Sequence, residues 1–527
     1  MLVGYVSDER YLALPDVQLE FESEDGSIEV RSRASGAVYA DVSPGPYKVT
    51  LAKAGFGAKI VRMEVRDGAP YHFRLLTDDL LGYVWPKWVR SGDASEFRVH
   101  SPEAYKLTLW RYGLEKEYIR NLGWYDEHGP RATVQITPDG DYTRTGVEWN
   151  KHGYGSAHHP QLVEAPERSG LYYLHAKTDS GRFFSFPWIV APKSPQCKTA
   201  VLASNITWNA YNNFGGRSNY IHPDALPPTP TVNARLDLRR YTDPEHHGHE
   251  ADVYAPLSFD RPEPLNCIPE DERVTGPIEG RLACANAPAE WRLLAWLERE
   301  GFAHDLYAET QFHAGMLDLD AYKVLILSVH PEYWSKDMYY RLKAWVFERG
   351  GKLMYLGGNG LNCEIEFVDE QTCVHHNGKR LELLAGGKES RFHLRQESEA
   401  NLLGVVFTDS GIMTGAPYRV IDDAHWVFDG TGLENGDRFG TESQHQRCPG
   451  GASGHEQDKI SPSSPSNVHL LAKGLNPDDG GADMVIHEPA GGGAVFSVGS
   501  IIWPSSVLVD DGVSRITANV LTRFLEM

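Results

Sequence analysis

Hydrophobic and polar positions divide the chain into two parts with different periodicities. Up to about residue 195, short runs alternate between apolar and polar residues, as in Val17-Gln18-Leu19-Glu20-Phe21, and turn signals such as Pro44-Gly45-Pro46 separate them. A period of two is typical of half-buried strands. Beyond residue 195, uninterrupted apolar runs alternate with amphipathic helical segments. The pattern therefore predicts β modules followed by an α/β domain.

The β part divides near residue 77 into two predicted sandwiches. Residues 1–77 hold three alternating strands, and the segment 36–49 resembles the prealbumin-like sandwich appended to carboxypeptidases as a regulatory module. Residues 78–195 hold further strands, predicted at 95–100, 107–112, 132–136, 170–177 and 183–190. Their spacing is that of an immunoglobulin-like sandwich, although the Cys…Trp…Cys signature is missing.

Residues 196–527 form the predicted α/β catalytic domain. Buried strands are expected at 199–203, 325–329, 352–356 and 494–498, and helices at 289–300, 336–349 and 514–526. Strands that alternate with helices predict βαβ units and a mostly parallel sheet. We therefore expect a multidomain chain whose last domain is of the class I amidotransferase or flavodoxin-like type.

Charge and cysteine usage exclude several functions. A net charge of −21 argues against a nucleic-acid partner, because phosphate binding needs a basic face. No run approaches the roughly 20 apolar residues of a membrane span, and the first residues lack the pattern of a signal peptide. Six cysteines are scattered without a CxxC pair, which favours reduced thiols. These features predict a cytoplasmic protein without a membrane partner.

Candidate chemistry lies where two predicted strands end. The strand at 325–329 ends in His330 and Glu332, and the strand at 352–356 is followed by Gly357, Gly358 and Asn359. Ligands collect at the carboxyl ends of strands in open α/β sheets, so a base and a carboxylate there are a candidate reaction centre. A structural role for Glu332 at the start of the next helix explains the motif about equally well.

The sequence also bears on metal-dependent and nucleophilic catalysis. His246, His247 and His249 lie in a polar stretch that also holds Tyr241; they could bind a metal, and a solvated loop is the alternative. No cysteine or serine lies in a nucleophile elbow, and the H-E-x-x-H zinc motif is missing. Any hydrolytic activity would therefore depend on another metal site or on a general base.

Several segments in the C-terminal part resemble, in order, the large (beta) subunit of N,N-dimethylformamidase, an iron-dependent amide hydrolase. The resemblance spans about 196–510 and rests on 207–212, 215–218, 257–262, 330–334, 355–360 and 454–456. It implies a hydrolase of amide carbon–nitrogen bonds. The prealbumin-like module stands where the larger enzyme carries a lectin-like sandwich, which leaves open whether a small accessory subunit is needed.

The resemblance also implies a mononuclear Fe(III) held by two tyrosines and a glutamate. Tyr211 and Glu332 match two of these ligands, and the second tyrosine corresponds to Tyr254, with Tyr241 as the alternative. Such a set is chemically consistent, because the hard ferric ion prefers phenolate and carboxylate oxygens to thiols.

The same resemblance suggests catalytic roles and partners. Glu456 would be the general base, His330 would orient water or stabilise an oxyanion, and Asn359 would hydrogen-bond a small amide substrate. The abundant aromatic residues of the β modules would allow a homo-oligomer. Two alternatives stay open: another hydrolase on the same scaffold, with zinc or no metal and a sugar-derived or carbamoyl substrate, and a non-catalytic binding protein.

Overall fold

The computed structural model describes residues 1–125, 134–135, 137–149, 161–232, 251, 253–378 and 386–527. Within these residues the chain is mostly β, with many separate sheets and few helices. This composition agrees with the expectation of several β-rich units. None of the helices described is long and apolar enough to cross a membrane.

The N-terminal part, up to residue 195, consists almost entirely of strands. Its elements are β1 (Leu2–Ser7), β2 (Gln18–Ser23), β3 (Gly26–Arg31), β4 (Ala37–Tyr39), β5 (Gly45–Lys53), β6 (Gly57–Val65), β7 (Tyr71–Arg74), β8 (Leu81–Trp85), β9 (Trp88–Arg90), β10 (Ala94–His100), β11 (Tyr105–Tyr112), β12 (Lys116–Tyr125), β13 (Val134–Gln135), helix α1 (Tyr142–Thr145), β14 (Leu162–Glu164), β15 (Gly170–Thr178) and β16 (Phe183–Ala191).

These strands form two pairs of sheets, each pair around its own core. The first pair has the strand orders β4-β1-β7 and β13-β6-β5-β2-β3, and the second has β14-β10-β8 and β12-β11-β15-β16-β9. Val6 and Phe73 from one sheet meet Leu19 and Val49 from the other in the first core. Alternating residues therefore bury one face of each sheet, as the period of two predicts. β13, although late in sequence, pairs with β6 of the first unit.

The C-terminal part mixes strands with helices. Its strands are β17 (Thr199–Ala203), β18 (Leu257–Ser258), β19 (Asp305–Ala308), β20 (Val324–Val329), β21 (Tyr333–Trp334), β22 (Lys352–Gly357), β23 (Cys363–Asp369), β24 (Thr372–His375), β25 (Val406–Thr408), β26 (Gly415–Ala416), β27 (Tyr418–Val420), β28 (Arg438–Phe439), β29 (Ser453–Gly454), β30 (Gln457–Lys459), β31 (His469–Gly474), β32 (Asp483–His487) and β33 (Ala494–Ser497). Its α-helices are α2 (Asn205–Tyr211), α3 (Ala287–Arg299), α4 (Glu309–His313), α5 (Lys336–Arg349), α6 (Arg391–Arg395), α7 (Ala400–Leu403) and α8 (Asp511–Glu526). Short 3-10 turns cover Pro264–Asn266, Ala283–Ala285, Leu319–Ala321, Trp426–Phe428 and Trp503–Ser505.

A nine-stranded sheet organises this part, in the order β19-β17-β20-β22-β33-β32-β31-β27-β28. The first five strands pair in parallel, whereas the pairings from β33 to β28 are antiparallel. The prediction of a mostly parallel sheet is therefore wrong for half of it. The antiparallel half is built from short strands joined largely without helices, a connectivity that antiparallel pairs allow.

Helices cover both faces of the parallel half. Leu325 and Leu327 share a core with α5, whereas Val324 and Ile326 share a core with α3 and α8. Successive residues of a strand point to opposite faces, so a strand covered on both sides is apolar throughout. Helix α5 has the bounds that the sequence predicts: the Ser335 side chain caps its first turn, and Gly350 ends it in the left-handed conformation.

Candidate functional site

Four elements bring candidate residues to the carboxyl edge of the parallel strands. Tyr211 ends α2, which follows β17, and His330 and Glu332 come directly after the neighbouring strand β20. Asn359 follows β22, the next strand of the sheet, and Glu456 lies in the turn between β29 and β30. Because parallel strands end at the same edge, residues distant in sequence meet there. All five of these side chains line one site.

The backbone around this site holds unfavourable conformations. Val329, Asn359 and His455 have positive φ angles of 54°, 50° and 63°, and each is a site residue or adjoins one. For a β-branched residue such as Val329 this conformation is a marked outlier. A Cβ on Gly358 would lie 2.5 Å from the Glu456 carbonyl oxygen, so only glycine allows the two turns to approach. Strain concentrated in this way is typical of functional sites.

Two phenols and one carboxylate form the centre of the site. The Tyr211 hydroxyl donates to Glu332 Oε2 over 3.0 Å, and the Tyr220 hydroxyl lies 3.1 Å from Glu332 Oε1. The two hydroxyl oxygens are 2.9 Å apart, and the two rings stack with centroids 4.6 Å apart. Tyr333 adds a third hydroxyl beside that of Tyr220. Oxygen atoms of four side chains therefore lie close together, and those of Tyr211, Tyr220 and Glu332 contact one another directly.

The second tyrosine in this cluster is Tyr220, whereas the family resemblance predicts Tyr254 at that position. The Tyr254 hydroxyl accepts a hydrogen bond from the Ala251 backbone N–H over 3.3 Å, and Tyr254 is not among the residues that line the site. Tyr241, the alternative, lies outside the described residues. Tyr220 lies just beyond the segment 215–218, and no local pattern marks it. A turn capped by the Ser218 hydroxyl places its ring over Tyr211.

Burial and charge determine the protonation of this cluster. Burial raises the pKa of Tyr211 and of Tyr220 well above 10, and the Glu332 carboxylate raises both further. Burial alone would raise the pKa of Glu332, but the hydrogen bond and the charge of His330, together with the hydrogen bond from Tyr211, outweigh burial and hold that pKa below its usual value. The phenols are therefore neutral donors to an ionised carboxylate.

His330 links this cluster to the other carboxylate. Its Nε2 lies 2.8 Å from Glu332 Oε2 and 3.7 Å from Glu456 Oε2, and its Nδ1 lies 3.1 Å from the Gly358 carbonyl oxygen. Burial would lower the pKa of His330, but the hydrogen bond to Glu332 and the charges of both glutamates raise it to about 9. At neutral pH His330 is therefore a cation that donates from both ring nitrogens.

Glu456 is held by Asn359, and Asn359 by Asp458. The Asn359 amide donates to Glu456 Oε2 over 2.8 Å, and the Asn359 backbone N–H donates to Asp458 Oδ1 over 2.8 Å. Burial raises the pKa of Glu456, and the His330 charge only partly offsets this. The sequence reading expected Asn359 to contact substrate; in the structure its amide N–H is already bonded to Glu456, and Oδ1 has no partner among the described residues. Asp458 was missed, because nothing in its local sequence distinguishes it.

A cavity of about 760 Å³, within the range of small-molecule sites, is lined by Tyr211, Tyr220, Glu332, Asn359 and Glu456. Tyr211 and Glu456 also line a second, much smaller cavity of about 10 Å³, together with His330. That space is close to the size of one water molecule.

The groups of this cavity that are suited to a metal ion are side-chain oxygen atoms. Among residues of the described ranges, no group of three His, Cys, Asp or Glu side chains is arranged to hold a metal ion. Tyr211, Tyr220 and Glu332 instead present phenol and carboxylate oxygens, the donor chemistry that a ferric ion prefers. The predicted histidine-rich tract at 246–249 lies outside the described residues.

A buried carboxyl group with a raised pKa beside an imidazolium and a cluster of phenol and carboxylate oxygens, at the strand ends of an α/β sheet, is typical of a hydrolytic enzyme. Residues 118–513 match the family model described as N,N-dimethylformamidase beta subunit-like, C-terminal. The chain belongs to this family, which confirms the resemblance drawn from its sequence.

Two curated relatives have the same name, N,N-dimethylformamidase beta subunit. The protein of Paracoccus aminophilus is 25% identical, over 95% of this chain and 74% of its own length. The protein of an Alcaligenes species is 28% identical, over 45% of this chain and 37% of its own length. Among solved structures, a β-galactosidase from Bacillus circulans sp. alkalophilus covers 45% of this chain at 13% identity, and its TM-score of 0.28 is too low to compare folds.

Proposed function

We propose that this chain is an amide hydrolase that cleaves the carbon–nitrogen bond of small linear amides related to dimethylformamide. The observation that carries the proposal is the meeting of two phenols and Glu332 with a second buried carboxylate, Glu456, in one cavity. The names of the family and of its two curated relatives support the same reaction class.

The residues that would hold a ferric ion are Tyr211, Tyr220 and Glu332. Their oxygens already lie 2.9 to 3.1 Å from one another, so the cluster needs little rearrangement to act as a ligand set. When bound, such a cation supplies Lewis acidity to an amide carbonyl and to water.

The remaining residues move and hold protons. Glu456 takes a proton from water and returns it to the departing amine nitrogen, the role of a general base that becomes a general acid. Asn359 keeps Glu456 oriented through its amide. His330, as a cation between both glutamates, offsets their negative charges and keeps Glu332 ionised.

Metal analysis combined with an amine-release screen tests this proposal. The purified full-length chain should contain iron equimolar with protein and should release amine from at least one member of a panel of small and bulky amides. A well-folded protein that contains no metal and releases no amine from the panel would contradict it.

A matched pair of variants decides which tyrosine belongs to the ligand set. We expect Tyr220→Phe to lose iron, because the hydroxyl in contact with Tyr211 and Glu332 is removed. Tyr254→Phe removes a hydroxyl that accepts from the Ala251 backbone N–H and does not line the cavity, so this variant should keep iron. Iron content per chain and the visible spectrum are the measurements. Retention of iron by Tyr220→Phe together with its loss from Tyr254→Phe would restore Tyr254 as the ligand.

The pH dependence of kcat/KM should depend on the Asn359–Glu456 hydrogen bond. That bond lowers the pKa of Glu456, so Asn359→Gly should raise it, and the base form then requires a higher pH. We expect the acid limb of kcat/KM to move up by about one pH unit, as for loss of a hydrogen bond to a charged group. Glycine also adopts the positive φ of Asn359 without strain. Asn377→Ala, in the same cavity, should leave the limb in place; an unmoved limb in Asn359→Gly would exclude Glu456 as the titrating base.

The finer architecture and the assembly are also proposals. We propose that the two N-terminal units are a prealbumin-like and an immunoglobulin-like sandwich, bounded near residues 77 and 195, followed by an amidotransferase-like domain.

The relatives are named as subunits, which supports an assembly of several chains. We propose a homo-oligomer in the cytoplasm; size-exclusion chromatography with light scattering measures its mass.

A further inference from the structure

Two histidines beside the site form a pair that the proposed mechanism does not use. His455 precedes Glu456, and its Nδ1 lies 3.1 Å from Nε2 of His445. Both side chains are buried, His455 with only 3% of its surface exposed. His455 also lines the small, water-sized cavity, together with Tyr211, His330 and Glu456.

Hydrogen bonding determines where both rings carry their protons. The Cys448 backbone N–H donates to Nδ1 of His445 over 3.1 Å, so this nitrogen is an acceptor and bears no proton. The proton of His445 is therefore on Nε2, from which it donates to Nδ1 of His455. His455 accepts at Nδ1 and must carry its own proton on Nε2. Neither ring can be a cation without losing one of these bonds.

The N–H group at Nε2 of His455 is available to a molecule in the small cavity. No hydrogen bond from this nitrogen to another described residue is present, although the ring is almost fully buried and lines the cavity. Burial, His445 and the cationic His330 keep the pKa of His455 well below 6.5, which agrees with a neutral ring. A buried N–H donor without a protein acceptor is costly unless water or a ligand accepts from it.

We propose that His455 is a further catalytic residue, whose Nε2–H holds the hydrolytic water in the small cavity, and that His445 is a positioning residue which fixes the tautomer of His455. This rests on the proposed function. The water accepts from His455 and donates to Glu456, which leaves a lone pair for the amide carbonyl carbon. As its oxygen bonds to that carbon, its proton passes to Glu456 and then to nitrogen as the carbon–nitrogen bond breaks, giving a carboxylic acid and an amine.

Nitrogen NMR of the full-length, metal-free chain labelled with [15N]histidine tests the tautomer without reference to activity. We expect His455 to have a protonated Nε2 and an unprotonated Nδ1. His445→Asn keeps an acceptor for the Cys448 N–H but removes the donor to His455, so the tautomer should become mixed; His445→Gln places a donor near the original Nε2 and should preserve it. A wild-type His455 that is protonated on Nδ1, or averaged between tautomers, would overturn the proposal.

Kinetics test the role of the pair in hydrolysis. His455→Leu and His445→Asn should lower kcat by about 10- to 100-fold with little change in KM, the cost of a misplaced reactant. His455→Gln and His445→Gln should retain more of kcat than His455→Leu and His445→Asn. All four variants change the packing to a similar extent, so this difference in kcat would be due to the hydrogen bonds. Wild-type kcat in His455→Leu would overturn the proposal. So would losses of kcat that simply follow the fall in melting temperature across all four variants. A wild-type chain that releases no amine overturns the proposed function and the water-holding role together, whereas the NMR result still decides the tautomer.

Discussion

Glu332→Gln is expected to abolish iron binding and to lower amide hydrolysis by more than about 100-fold. Loss of a residue that only hydrogen-bonds a metal ligand usually lowers activity by about 10- to 100-fold, and loss of a ligand itself should lower it further. Glu332 accepts hydrogen bonds from Tyr211, Tyr220 and His330 at the same time. A neutral amide leaves the buried His330 without its ionised partner and replaces one carboxylate oxygen with a donor. The convergence of oxygens on which a cation depends is then lost.

Iron content and visible absorption measure this outcome. Phenolate bound to Fe(III) is coloured by charge transfer, so Tyr211→Phe should bleach the protein as Glu332→Gln does. Glu290→Gln is a matched control: Glu290 is also buried, accepts from the Ser204 N–H and the Trp208 indole, and has a pKa raised by burial to about 8. It is therefore largely neutral at pH 7, and its amide should keep the colour. A colourless, metal-free and well-folded wild-type chain would exclude iron.

Glu456→Gln is expected to lower kcat by about 10²- to 10⁴-fold, the usual contribution of a general base. Its iron content should stay unchanged, because Glu456 makes no hydrogen bond to either phenol in the described contacts, and a glutamine oxygen can still accept from Asn359. Amine release under saturating amide, together with metal analysis of the same preparation, separates this effect from that of Glu332→Gln.

A neighbouring carboxylate provides the control for this second variant. Glu389 lines the same cavity but accepts hydrogen bonds from Ser398 and Ser463. Glu389→Gln should retain near wild-type kcat. If Glu456→Gln retained the wild-type rate as well, the proton would have to pass through another group, and the proposed mechanism would be wrong.

The two glutamates of the site illustrate how surroundings separate identical side chains. Both are buried, which by itself raises a carboxyl pKa. For Glu332 the hydrogen bond and charge of His330, with the hydrogen bond from Tyr211, together outweigh burial and lower the pKa, whereas for Glu456 burial prevails and the pKa is raised. A group that stays ionised suits a ligand, and one with a raised pKa suits a base. The difference supports the division of roles inferred from the family resemblance.

The sequence by itself determined the local elements and most of the site. Apolar runs and capping residues predicted β17 and α5 with their observed bounds, because both signals are local and repeat with the period of the element. The positions of Glu332 and Asn359 just after strand ends, and of Tyr211 in the segment that follows β17, were also readable, since parallel strands bring their ends to one edge.

Only the tertiary structure decided which loops meet over that edge. Tyr220 rather than Tyr254 lies against Tyr211, Asp458 supports Asn359, and His445 bonds to His455 across ten residues of irregular chain. The antiparallel half of the large sheet likewise depends on how short strands pair. These contacts join segments without a regular period, and their partners are chosen by packing and hydrogen bonding in the folded chain, for which a local pattern contains no signal.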